Sequence, residues 1–242
     1  MNKPAGLVCH PTKGDVYSSL ISRVRLYLGP DSHPHLVNRL DRETSGVTLV
    51  AKTDVAAREL RQLMESRAIR KEYVALVHGH VREDHGMIDS PLGKDERSRV
   101  AVKDCVRPDG KPAQTEYWVE CRLHATCDPA EDGSGSMKLV SVSDGQPIGS
   151  ALPFTFLRIE PRTGRKHQIR IHLAHIGHPI VGDKIYGGDE DLYLALVENR
   201  LTPDQRSRLI LEHHALHARL LRFSWRDKEV VLVAPIDGWN CF

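Results

Sequence analysis

The segment Asn38-Arg39-Leu40-Asp41-Arg42-Glu43-Thr44-Ser45-Gly46 concentrates groups that can do chemistry. An aspartate with arginines at i−2 and i+1, in a turn leading into an apolar strand, is a carboxylate held ionised where loop backbone presents it to a ligand. A salt-bridged turn accounts for the same pattern, so spacing alone leaves both readings open. A second group is Arg162-Thr163-Gly164-Arg165-Lys166-His167-Gln168-Ile169-Arg170, where four permanent cations gather with no acid between them. Placed at the start of a helix, such a run suits phosphate, because free backbone N–H groups and the helix dipole favour anions there. A solvated basic face is the alternative. Arg170 differs from its neighbours because it falls inside the expected helix, beside Ile169 and three residues before Leu173. Buried there it requires a carboxylate partner, and Asp41 has a matching need.

Other chemistries find little support. His167, His172, His175 and His178 do not share a helix face, have no accompanying carboxylate and form no H-E-x-x-H, so no metal site is expected. Neither G-x-x-x-x-G-K-S/T nor G-x-G-x-x-G occurs, and Gly182-Asp183-Lys184-Ile185-Tyr186-Gly187-Gly188 is turn-forming without phosphate-loop spacing. Ser45 sits in no G-x-S-x-G elbow. Asp41 and Glu43, two residues apart on one turn, are poorly placed to bracket a sugar at the roughly 5 to 9 Å a glycosidase pair needs.

The elements that must position these residues are those of a strand-rich α+β chain. Residues 47–51 read as a buried strand after the turn Thr44-Ser45-Gly46. A helix capped by Asp54 follows, with Ala57, Leu60, Leu63 and Met64 on its apolar side. Residues 71–78 alternate as a strand that places Tyr73 with Ala75 and Val77. Further strands are expected at 98–103, 114–123, 138–143, 154–160, 215–225 and 229–234. Helices are expected at 166–176, ended by Gly177 and Pro179, and at 203–213, where Thr202 is the cap and Pro203 the first helical residue. Strands at both ends with helices between favour a mixed, mainly antiparallel sheet with flanking helices over alternating βαβ units. Residues 127–153 turn to Gly, Ser, Asp and Pro and read as a mobile loop excursion.

Composition bounds the partners. With 242 residues, 40% hydrophobic and 27% charged, the chain can bury a real core. No run approaches the roughly 20 apolar residues that span a bilayer, and the amino end lacks a signal peptide's apolar run, so a cytoplasmic, membrane-free protein is expected. The five cysteines are scattered and form no C-x-x-C, the pattern of reduced thiols. Lys plus Arg number 34 against 32 acids, a net charge of +2, so nucleic-acid affinity must come from local patches.

Taken in order, several segments resemble the RluA family of RNA pseudouridine synthases, from Lys3 to about Pro235. They are Asn2-Lys3-Pro4-Ala5-Gly6 with His10-Pro11, Arg39 to Gly46, Lys71-Glu72-Tyr73-Val74-Ala75-Leu76-Val77-His78-Gly79, and Lys111-Pro112-Ala113-Gln114-Thr115. Gly164 to Leu173 and His178-Pro179-Ile180-Val181-Gly182-Asp183 complete the series. The resemblance implies a single catalytic domain over residues 1–242, with a mainly antiparallel sheet split by a central cleft. It implies isomerisation of a uridine in a structured rRNA or tRNA stem-loop without metal or nucleotide cofactor. Asp41 matches the family's essential aspartate, Tyr73 the residue that stacks on the target base, and Arg170 the arginine that pairs with the aspartate. Arg39 matches the position that fills the gap left by the everted nucleotide. RNA contacts are expected from Arg39, Arg42, Lys71, Arg162, Arg165, Lys166, His167 and Gln168, and the chain is expected to act as a monomer.

Two departures stand out. Asn38 replaces the family's common His, keeping hydrogen-bonding capacity without charge. Neither an S4-like domain nor the strand that usually leads into Asn-Lys-Pro is expected before Lys3, so RNA choice is expected to rest on the catalytic domain. The competing readings are a non-catalytic RNA-binding or RNA-folding module using the same cleft, and a hydrolase that would release free uracil.

Overall fold

In a computed structural model, residues 1–11, 18–127, 137–141 and 152–236 are described. The elements in chain order are β1 (Asn2–Lys3), α1 (Leu20–Leu28), β2 (His35–Leu36), β3 (Ser45–Val47), β4 (Val50–Ala51), α2 (Asp54–Glu65) and β5 (Arg70–His78). Then come β6 (His85–Asp89), β7 (Leu92–Lys94), β8 (Asp104–Val106), β9 (Gln114–Cys127), β10 (Met137–Ser141) and β11 (Leu152–Pro161). Three helices, α3 (Gln168–His175), α4 (Glu190–Val197) and α5 (Pro203–Leu209), precede the closing strands β12 (Leu216–Trp225) and β13 (Lys228–Val233). The fold is α+β, and nearly all its strand pairs with a resolved register are antiparallel. The chain divides into two compact units, Met1–Tyr73 with Leu216–Ile236, and Val74–Ala215.

In the first unit β1 pairs antiparallel with β3, and β3 pairs parallel with β12, placing Ser45 opposite His217 and Gly46 opposite Ala218. Gly46 has φ +113°, and a side-chain carbon there would come within 2.6 Å of the Ala218 amide nitrogen and closer still to its carbonyl oxygen. Only glycine allows β3 and β12 to approach this closely directly behind the Asp41 turn. α2 lays Ala57 and Leu60 against Val47, Leu221 and Phe223. Its cap is Thr53, whose hydroxyl accepts the Ala56 N–H at 3.3 Å, and not Asp54, which occupies the first turn of the helix. The extended backbone of Thr53 (ψ 155°) suits a cap, and the acid one residue later favours the helix dipole. α1, not anticipated from the sequence, packs Leu20, Ile21 and Val24 on Leu7, Cys9, Leu36 and Leu40.

In the second unit β9 is flanked by β11 and β10, both antiparallel, and β6 joins it over His85–Asp89. α3 contributes Ile171 to a cluster with Leu92, Val100, Ala113, Ile185 and Tyr186. The strand expected at 98–103 is a loop instead. Glu190 at the start of α4 draws it in, accepting from Ser98 Oγ at 2.7 Å, Arg99 N at 3.3 Å and Lys103 Nζ at 2.7 Å. The expected strand at 47–51 is broken into β3 and β4, and α3 starts at Gln168 because His167 takes a left-handed φ of 54°. α5 ends at Leu209, four residues before its expected end, although Thr202 and Gln205 form the capping box at its start. Most of the excursion expected at 127–153 lies outside the described residues.

Gly46→Ala is expected to destabilise the first unit by at least about 2 kcal/mol, a fall in Tm of about 4 to 8 °C. A thermal melt of the variant within 1 °C of the wild type would mean that β3 and β12 yield without cost.

Candidate active site

Asp41 stands at a half-buried bend just before β3, and its loop is held from the amino end of the chain. The Lys3 side chain is 0% exposed, and its Nζ donates to the carbonyl oxygens of Pro4 at 2.9 Å, Leu7 at 2.8 Å and Arg42 at 3.0 Å. A buried ammonium has three donors and no water, so three carbonyls satisfy it in full. On the other side of Asp41, the Leu40 N–H donates to Cys9 Sγ at 3.4 Å, and the thiol donates to Leu40 O at 3.4 Å. Arg42 Nε donates to Gly6 O at 3.2 Å, and the Thr44 N–H to Asp41 O at 3.2 Å. Burial pushes Lys3 down to about 8, against the opposing pull of Cys9 and Asp41. The carboxylate of Asp41 thus shares its surroundings with a buried cation.

The rest of the motif is structural support. The Asn38 amide donates to Val47 O at 3.2 Å and accepts from Leu49 N at 2.7 Å, clamping the chain between β3 and β4. An uncharged amide does both jobs at once, which explains why the loop tolerates Asn where a His is common. Ser45 Oγ lies 2.8 Å from His217 Nδ1, and His217 Nε2 lies 3.2 Å from Ala234 O. A backbone carbonyl only accepts, so Nε2 carries the hydrogen and Nδ1 accepts from the serine hydroxyl.

Tyr73, at the end of the first unit's part of β5, packs partly buried against Leu7, Leu40 and their neighbours. Burial first, and then the negative charge of Asp41, push its phenol well above the ordinary tyrosine range, so the ring is neutral and near that carboxylate. Lys71 on the same strand is half-buried and its ammonium is pushed down by burial. Arg39 and Arg42 are exposed.

In the second unit the Arg170 and Asp183 side chains are 6% and 0% exposed. Arg170 Nε donates to Asp183 Oδ2 at 2.7 Å and Nη2 to Oδ1 at 2.9 Å, a two-point fork. Asp183 Oδ1 also accepts the N–H groups of Ile185 at 2.9 Å and Tyr186 at 3.0 Å. Burial works to raise the Asp183 carboxyl, yet the charge and hydrogen bonds of Arg170 hold it well below the usual carboxylate range. The basic loop before α3 is less cationic than its sequence suggests. Arg162 pairs with Glu116 and Glu160, and Lys166 Nζ lies 2.8 Å from Asp104, so the sheet supplies the acids that the segment lacks. Arg165 is exposed, with Nε 3.1 Å from Pro112 O. The Arg162 and Lys166 side chains are about half exposed, whereas the Glu116, Glu160 and Asp104 side chains that meet them are only 14%, 4% and 18% exposed. Gln168, expected among the RNA contacts, is 4% exposed. Its amide accepts from Thr163 Oγ1 and Arg165 N and donates to Gln114 O and Thr115 Oγ1, so it shapes the loop from within. His172 likewise has Nδ1 2.8 Å from Thr115 Oγ1 and Nε2 2.9 Å from Ser90 O.

The family model described as RNA pseudouridylate synthase matches residues 1–175. The chain belongs to that family. Its similarity to proteins named ribosomal large subunit pseudouridine synthase D places it in the RluA branch. It is 37% identical over 98% of its length to an uncharacterized RNA pseudouridine synthase of Chloroflexus aurantiacus, covering 63% of that protein. It is 32% identical over 98% of its length to ribosomal large subunit pseudouridine synthase D of Escherichia coli (strain K12), covering 60% of it. The chain thus spans about three fifths of the length of these relatives. The solved structure of human RNA Pseudouridylate Synthase Domain Containing 1 superposes with a TM-score of 0.68 at 23% identity, over 97% of this chain and 78% of that one. That likeness supports the α+β fold.

Sequence reasoning missed the buried Lys3 of the first unit and the Asp183 and Tyr186 that surround Arg170 in the second. Lys3 and Asp183 fall in segments read for their resemblance or their turns, and nothing local in them reveals that both charges are buried. Between pH 8 and about 10.5 the folded chain has released the Lys3 proton while the unfolded chain keeps it. Unfolding therefore takes up a proton, and the stability contributed by Lys3 rises with pH in that window, by at most about 1.4 kcal/mol per pH unit. Urea unfolding of wild type and Lys3→Met should show their difference in stability widening from pH 8 to 10. A constant or shrinking difference would contradict the placement of this amine.

Proposed function

We propose that the chain is the catalytic part of an RNA pseudouridine synthase that converts a uridine in a structured stem-loop to pseudouridine. The names of its relatives favour ribosomal RNA over tRNA as the source of that stem-loop. The observation that carries the reading is the Asp41 loop, fixed at Arg42 by Lys3 and at Leu40 by Cys9, with Tyr73 packed against the same cluster as Leu40.

The chemistry asked of these residues is modest. In a stacked nucleotide the sugar face is shielded, so the uridine must leave the helix at a cost of a few kcal/mol, least where it is unpaired. Stacking on the Tyr73 ring returns about 1 to 3 kcal/mol, and phosphate contacts from Arg165, Lys166, Arg39 and Arg42 return more. The Asp41 anion then either attacks C1′ or removes the C2′ proton, and in both cases the N1–C1′ bond breaks with its electron pair leaving on uracil. The uracil rotates and C5 bonds to C1′, either displacing the Asp41 carboxylate from C1′ or adding to the glycal while C2′ regains its proton from Asp41; the C5 proton is then lost and N1 gains one. Arg170 matches the family's arginine and is assigned that residue's role. Substrate and product have the same composition, so neither oxidant nor cosubstrate is needed.

A non-catalytic RNA binder would use the same cationic loop and predicts different behaviour. Asp41→Asn is expected to abolish pseudouridine formation while RNA affinity stays within about threefold, because phosphate and stacking contacts survive. Chemical mapping of pseudouridine together with a filter-binding titration checks both. Turnover by the variant at the wild-type rate would remove Asp41 from the chemistry. Tyr73→Phe should bind RNA as the wild type does, whereas Tyr73→Leu should weaken binding by about 1 to 3 kcal/mol.

A further inference from the structure

Arg170 is not held by its own helix. Its guanidinium is gripped by the two-point fork from Asp183, and it lies 5.0 Å from the centre of the Tyr186 ring, a cation–π distance. Asp183 is fixed in turn by the N–H groups of Ile185 and Tyr186, so its two oxygens cannot swing without breaking backbone bonds. The Tyr186 hydroxyl is pinned as well, 2.9 Å from His167 Nδ1 and 3.3 Å from the Asp104 N–H that donates to it. The segment 183–186 is thus a rigid cradle with a carboxylate against the edge of the guanidinium and an aromatic ring near its face. A long side chain has many rotamers, and this cradle leaves Arg170 one.

We infer that Asp183, with Tyr186, is a positioning residue for pseudouridine formation, setting the pose in which Arg170 takes part in the reaction. The inference rests on the proposed role of Arg170. A second consequence follows from charge: Asp183 neutralises most of the cation, so Arg170 serves as an oriented donor more than as a source of net positive charge. The cradle also reaches the expected RNA contact His167 through the Tyr186 hydroxyl, which ties the basic loop to the arginine's setting.

The test is single-turnover kinetics on a stem-loop RNA with the full chain, comparing wild type, Asp183→Asn, Arg170→Lys and the double variant. Asn keeps the shape of Asp183 and an oxygen for the two N–H groups but cannot grip the fork; Lys keeps the charge of Arg170 without the fork. Each single variant is expected to lose about a hundredfold in the chemical step, with RNA affinity within threefold and an unchanged circular dichroism spectrum. The double variant is expected to lose no more than threefold beyond Arg170→Lys, because Asp183 acts only through that arginine. Multiplied losses in the double variant would make Asp183 a general structural residue and overturn the inference. So would a wild-type rate for Asp183→Asn. If Asp183→Asn does not fold, Tyr186→Leu takes its place, with about a tenfold loss expected in the wild type and none in the Arg170→Lys background. Multiplied losses there, or a wild-type rate, would equally overturn it. A wild-type rate for Arg170→Lys would instead remove Arg170 from the proposed function, whatever Asp183 does.

Discussion

A lysine ammonium shut away from water must be met on every side by oxygen, and one of the oxygens that meet Lys3 belongs to the loop carrying Asp41. This constraint organises the first unit. Residues 2 and 3 must pair with β3 to bring Lys3 inward, and β3 must lie against β12, which only a glycine at position 46 permits. α1 then closes the space behind Leu7 and Cys9. Removing the ammonium would leave three carbonyls without this donor, two of them on either side of Gly6, whose own carbonyl accepts from Arg42.

The second unit solves a similar problem with a different pair. Arg170 and Asp183 are both buried, and neither is tolerable there without the other. A buried pair of this kind adds little net stability over an apolar pair of the same shape, so its value lies in geometry. Each unit therefore spends a buried charge on fixing the pose of one residue, a carboxylate in the first and a guanidinium in the second. Under the proposed function, charges fixed in advance in this way need no reorganisation as the glycosidic bond breaks.

Much of this was legible in the chain. The alternation around Tyr73 gave β5, the helical spacing of Ala57 and Leu60 gave α2, and Thr202-Pro203 gave the start of α5. What was not legible came from contacts distant in sequence. The run 98–103 has strand-like residues, but Glu190 offers its backbone and side chains stronger partners. The cations of 162–166 looked unopposed because Glu116, Glu160 and Asp104 reach them only through the sheet and its loops. The need of Arg170 for a carboxylate was readable from its place beside Ile169, but the sequence pointed to Asp41 and not to the Asp183 that grips it, because a G-D-K turn looks the same whether its aspartate faces water or a buried guanidinium. Likewise Asn38 read as a departure in the active-site motif, and its amide turns out to serve the β3–β4 connection.

Isomerisation by the group that the Asp41 loop presents, simple binding and hydrolysis leave different products. RNA transcribed with tritium at C5 of uridine separates the three. With Asp41 as the reacting group, tritium is released to water in equal amount to the pseudouridine formed, with no free uracil. Free labelled uracil, or RNA that is bound without any release of tritium, would contradict it.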